Sequence, residues 1–239
     1  NGESAIYLDT NGVTLKAKDW AEVGDKGTIN GVEYTIVNEA TLRSMVSNNQ
    51  NLSRIVVSKV SDMSKLFSNK SSFNYNINNW DVSNVTNMEM MFYFAETFNQ
   101  PIGDWDTSKV TNMSGMFWAA YEFNQPIGNW NVANVTDMTM MFHAAKKFNQ
   151  PIGNWNVSNV IIMKRMFRGA YEFNQPIGNW NVANVTDMFG ILEQTKTFNQ
   201  PIGNWNVGNV IDMSYLFAFA VAFNQPIGDW DTSKVTNMS

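Results

Sequence analysis

The chain has 239 residues, a net charge of −5, 44% hydrophobic and only 15% charged residues, and no cysteine. This hydrophobic content excludes a disordered tail, and the acidic balance excludes a basic footprint for nucleic acid. The missing cysteines exclude a disulfide framework, a thiol nucleophile and cysteine-ligated zinc, without fixing the compartment.

Residues 1–57 follow no period and read as an N-terminal capping segment. The opening "NGESAIYLDT" has neither the basic nor the apolar stretch of a secretory leader. "GTINGVEYTIV" reads as a strand or hairpin with its turn at Asn30-Gly31. "NEATLRSMVSNN" reads as a short helix with Leu42 and Met45 facing inward.

From residue 58 the chain repeats every 25 residues without insertion. Trp80, Trp105, Trp130, Trp155, Trp180, Trp205 and Trp230 hold one phase. All six prolines (Pro101 to Pro226) hold another, and valines (Val85 to Val235) and methionines (Met63 to Met238) two more. The stretch 121–138 is identical to 171–188, as duplication of a two-unit block would leave it. In the unit around Trp105, Met113, Met116, Phe117 and Ala120 lie at i, i+3, i+4 and i+7. That spacing predicts a helix of about two turns capped by Thr111 or Asn112. In the preceding unit, Thr86 and Glu89 have the spacing of a capping box. The other half of each unit reads as extended: Pro101 holds Gln100 out of the helical region, Gly103 permits a bend, and Trp130 alternates with Val132 as in a short strand.

One unit cannot bury its own apolar side chains, so neighbours must cover each other. The expected fold is an α/β repeat, a right-handed solenoid of seven strand-plus-short-helix turns over residues 58–239 with an N-terminal α+β cap. At roughly 4.8 Å per turn it would extend about 34 Å. The last unit stops in mid-phrase at "GDWDTSKVTNMS", which copies 103–114, so the array is expected to continue beyond Ser239.

The pattern F-N-Q-P-I-G-N-W-N-V-x-N-V-T-x-M-x-x-M-F-x-x-A resembles the bacterial surface-protein repeat of BspA-like leucine-rich-repeat proteins and of listerial and mycoplasmal surface lipoproteins. The likeness covers Val57 to Ser239, roughly three quarters of the chain, and "NGVTLKAKDWAEVGDKGTINGVEYTIV" is similar to the segments that precede such arrays. The resemblance implies a leucine-rich-repeat-like solenoid displayed at the cell surface in adhesion or interaction. No lipobox or wall-sorting motif is visible in the sequence.

Asn74, Asn99, Asn124, Asn149, Asn174, Asn199 and Asn224 follow the phenylalanine of every unit, as a structural ladder of side-chain amides would require. The tryptophan and methionine columns read as core. Asp104 with Asp106, and Asp229 with Asp231, have the i, i+2 spacing of a carboxylate pair suited to calcium, but other turns mostly carry asparagine there. His143 is the only histidine, at a phase that varies between units, and reads as a surface residue. No catalytic constellation, cofactor fingerprint or metal-ligand spacing appears, so neither an enzyme nor a cofactor is expected.

Variation concentrates on the expected outer helical face, as in "WAAYE" (118–122) against "HAAKK" (143–147). Tyr93, Trp118, Tyr121, Lys146, Lys147, Arg168, Tyr171 and Tyr215 would be the binding anchors of this ridge. The expected function is a non-enzymatic, extracellular or surface-displayed adhesion module for a protein or glycan on another cell or in the matrix. The alternatives are a carbohydrate-binding module using the Asn/Asp–Trp strip and a passive stalk projecting another domain.

Overall fold

A computed structural model describes residues 3–239. Strand β1 (Ile6–Leu8) pairs antiparallel with β2 (Leu15–Ala17). Strands β3 (Lys26–Ile29) and β4 (Val32–Ile36) form the expected hairpin, whose two turn residues, Asn30 and Gly31, both have positive φ, 51° and 79°. Such a two-residue turn matches the twist of the strands it joins. The β1–β2 pair was not foreseen from the sequence.

Helix α1 (Glu39–Ser47) starts where Asn38 accepts a hydrogen bond from the Thr41 N–H at 2.8 Å. Its buried residues are Leu42 and Val46, while Met45 packs at the margin of the core. Arg43 donates to the carbonyls of Ser64 and Asp62, fastening α1 to the first repeat. Strand β5 (Ile55–Val56) then adds parallel to β4.

Beyond β5 the fold is repetitive, with a 25-residue period, and contains neither the helices nor the strands expected of each unit. Met113, Met116, Phe117 and Ala120 are all fully buried, but on a ribbon of consecutive turns. The hydrogen bonds explain why. Met116, Trp118 and Ala120 N–H groups each bond three residues back, to Met113, Gly115 and Phe117. The intervening N–H groups of Met113, Gly115, Phe117 and Ala119 bond forward to Asp137, Thr139, Met141 and His143 of the next unit. A helix would spend its interior donors within itself, and two isolated turns of helix are marginal. Here half the donors join units instead. The geometry requires positive φ at two positions per unit, such as Met140 (54°) and Ala144 (56°), or Arg165 (52°) and Gly169 (69°), which no helix contains.

The tryptophan segments are likewise bends rather than strands. Between units, pairing is one parallel bridge each, running Asp62↔Asn87↔Asn112↔Asp137 and onward to Asn237, and a further parallel bridge joins Trp80 to Leu15 of β2. Gly103 lies in the expected bend, closed by the Trp105 N–H on the Ile102 carbonyl, and its position has a second role. A Cβ at the equivalent Gly128 would lie 2.5 Å from the Pro151 carbonyl oxygen of the next unit, so the glycine permits close approach of two backbones.

One hydrophobic core runs from Val37 to Leu216, and a smaller cluster around Ile6, Leu15, Ile36 and Val56 holds the N-terminal strands. Phe92, Phe117 and Phe142 stack from unit to unit at 5.5 to 5.6 Å, nearly parallel. A second file, Phe98, Phe123 and Phe148, stacks at 5.9 to 6.0 Å. Trp105 and Trp130 lie 6.3 Å apart and 3° from parallel. Each indole N–H from Trp105 to Trp230 donates to the carbonyl 28 residues earlier, Ile77 through Ile202, at 3.0–3.3 Å.

Candidate functional site

The 25-residue register places every varied residue in a column beside its counterparts. Tyr93, Trp118, His143, Arg168 and Glu193 occupy one such column. Tyr93 meets Trp118 edge-on at 4.8 Å and also touches Phe94 at 4.6 Å. Trp118 stacks on His143 at 5.0 Å and 6°. Arg168 Nη1 lies 3.0 Å from His143 Nε2, and Arg168 Nε lies 2.8 Å from Glu193 Oε2. The column therefore changes along its length from aromatic to ionic.

His143 is 8% exposed, which corrects its reading as a surface residue. Its neighbours on both adjacent units, Trp118 and Arg168, cover it. Burial first, then the positive charges of Arg168 and Arg165, push its pKa down to about 4. A guanidinium only donates, so Nε2 must be the unprotonated nitrogen of a neutral ring with its proton on Nδ1. Glu193 is 7% exposed and is met by Arg168, with Arg165 Nε 3.9 Å away.

A second column carries Tyr121, Lys146, Tyr171 and Lys196. Lys146 Nζ sits 3.9 Å from the centre of the Tyr121 ring, and Lys196 Nζ 4.1 Å from that of Tyr171. Lys147 pairs with Glu122 beside it, and this partner raises the lysine's pKa. Tyr215 stands apart, half exposed, with its ring 5.5 Å from that of Phe189, over which Lys164 and Arg165 lie. The structure thus brings Tyr93, Trp118 and Arg168 into one file and Tyr121, Lys146 and Tyr171 into another. His143, which the sequence offered only as a surface residue, joins them, as do Glu193, Arg165 and Phe189, none of which was among the expected anchors. The available signal was register: His143 shares its phase with Tyr93, Trp118 and Arg168.

The asparagine column makes a continuous ladder. Asn74 Oδ1 accepts from the Asn99 N–H at 3.0 Å and from Gln100 Nε2 at 2.9 Å. Asn99, Asn124, Asn149 and Asn174 repeat the same pair of bonds, and Asn199 passes it to Asn224 and Gln225.

The Asn/Asp–Trp strip has no aromatic platform for a sugar: Trp80 to Trp205 are 1–4% exposed and their faces meet other rings. Asp106 and Asp231 each accept from the backbone N–H two residues on, at 3.0 Å, as Asn131, Asn156, Asn181 and Asn206 do in their own units. The carboxylate does what an amide oxygen does elsewhere. Among the described residues no three His, Asp or Glu side chains converge on a point that could hold a metal ion.

A family described as "Mycoplasma protein of unknown function, DUF285" matches residues 37–154 and again 145–239. The chain belongs to this family. The two DUF285 matches together span α1, β5 and all the repeats, the portion that shares the continuous core. No curated protein and no solved structure matched the chain.

Proposed function

We propose that this DUF285 chain is a non-enzymatic adhesion or protein-interaction module, displayed at the surface of a bacterial cell or secreted. In this reading its repeats form a right-handed, leucine-rich-repeat-like solenoid of the BspA type. One parallel bridge per unit joined by a long crossover is the arrangement for which right-handed connection is the strong rule.

The observation that carries the reading is the ridge. Every unit spends its fixed residues on core and ladder, while the two columns beginning at Tyr93 and Tyr121 hold aromatic and cationic side chains that differ from unit to unit. Aromatic residues and arginine are enriched where proteins meet. The expected partner is a protein surface, apolar opposite Tyr93 and Trp118 and acidic opposite Lys146 and Lys147.

The test is adhesion of beads coated with the purified chain to epithelial cells and to immobilised matrix proteins. The variant Tyr121→Ser/Lys146→Ser/Lys147→Ser/Tyr171→Ser should keep its circular dichroism spectrum and lose adhesion. Undiminished adhesion by that variant would remove the ridge from consideration. The spacer reading draws on the uniformity of the unit-to-unit hydrogen bonds, and predicts instead that adhesion is indifferent to ridge substitutions and to the number of units.

A further inference from the structure

The stack is irregular at one place, the junction between α1 and the first repeat. Six later units carry Gln-Pro after the ladder asparagine, whereas the first carries Tyr75-Asn76. Two bonds that close the later junctions are altered here. Asn49, one period before Asn74, has its Oδ1 taken by Lys70 Nζ at 3.0 Å rather than by the ladder. The Trp80 indole N–H, whose counterparts all reach the carbonyl 28 residues earlier, is buried with no partner.

Between the 49–53 segment and the first repeat lie two adjoining hollows of about 300 and 440 Å³, which share Asn49, Gln50, Leu52 and Tyr75. Phe73 lines the first and Asn76 the second. Tyr75 is 71% exposed, and its ring touches only the edge of Phe73 at 5.7 Å. The one charged side chain of the lining, Lys70, is already engaged by Asn49.

We infer that this cleft is a binding site for a neutral oligosaccharide, whose pyranose ring lies on Tyr75 while the amides of Asn49, Gln50 and Asn76 bond its hydroxyls. A sugar has an apolar C–H face and a rim of hydroxyls that both donate and accept. An exposed aromatic ring among uncharged amides complements both features. The combined hollow is in the size range of small-molecule sites. The inference does not depend on the ridge: Tyr75 belongs to neither ridge column.

The test is calorimetric titration of the full chain with maltotriose, cellotriose and N-acetylchitotriose. At least one should bind, and Tyr75→Ala should weaken it by about tenfold or more. The double variant Tyr75→Gln/Asn76→Pro puts the Gln-Pro of the later units in place of Tyr75-Asn76. It should melt no lower than the parent and lose the sugar, which keeps the test valid if the alanine variant folds poorly. Phe219→Ala, at an equally exposed aromatic far along the chain, should bind as the parent does. Binding of none of the three sugars, or equal binding by parent and double variant, would overturn the site.

Discussion

The glycine of "PIG" is set by an atom of another unit. A methyl group at Gly128 would press on the Pro151 carbonyl oxygen, whereas the same group at Gly228 meets nothing within 4 Å. Gly128→Ala should therefore lower stability by about 1–3 kcal/mol in urea denaturation, with Gly228→Ala within error of the parent. His143 gives a pH signature. Its unfolded ring takes up a proton near pH 6.5 and its folded ring only near about 4. The stability it contributes is complete above pH 6.5 and declines as pH falls toward 4, by up to about 3 kcal/mol. Burial of the ring sets this window first, and the positive charges of Arg168 and Arg165 add to it. The stability difference between the parent and His143→Gln, measured from pH 7.5 to 4, should shrink as the pH falls, because the variant lacks this proton. A constant difference would mean that the ring is not held neutral.

Within the turn ribbon, neighbouring alanines experience opposite demands. Ala144 has φ of 56°, a region costly for any residue with a Cβ, while Ala145 has negative φ and is fully buried. Ala144→Gly should leave stability unchanged or raise it by up to about 1 kcal/mol, and Ala145→Gly should lower it by a similar amount, both read by thermal melting. This ribbon is also where sequence and structure part. Apolar residues at i, i+3, i+4 and i+7 mark a buried stripe, and Met113, Met116, Phe117 and Ala120 do form one. Yet a chain of turns satisfies the same spacing as a helix. Gly115, Gly169 and Gly190 take left-handed backbone, and Met140, Arg165 and Tyr215 take the same conformation with no glycine to mark it in the sequence. The hairpin and α1 were legible because Asn30-Gly31 and Asn38 determine their geometry locally. The ridge columns were legible only as variable positions. The burial of His143 depends on Trp118 and Arg168, each 25 residues away, and no local window contains all three.

At the scale of the molecule, the identity of 121–138 with 171–188 allows residues 121–170 to be removed without altering the sequence at the junction. The shortened chain should fold, with a urea m-value lower by about a fifth, since m follows the surface buried. It would also place Trp118 beside Glu193 and take away Arg165 and Arg168, leaving a buried carboxylate unpaired at a cost of about 3–5 kcal/mol. Adding Glu193→Gln to the deletion should recover much of that loss. The shortened chain also separates ridge from spacer, because it retains the stack but lacks His143 and Arg168 of one column and Tyr121 and Lys146 of the other.

The close fit between the glycine of one unit and the proline carbonyl of the next has a consequence for heredity. Each unit from Gly103 to Gly203 carries in its own sequence the backbone clearance that its successor needs. Unequal recombination between copies can then lengthen or shorten the array in a single event with the backbone fit at the new join intact, leaving only side-chain pairs such as Arg168–Glu193 to be made good. The ridge would be reshuffled at the same stroke, giving a lineage new surfaces on an unchanged frame.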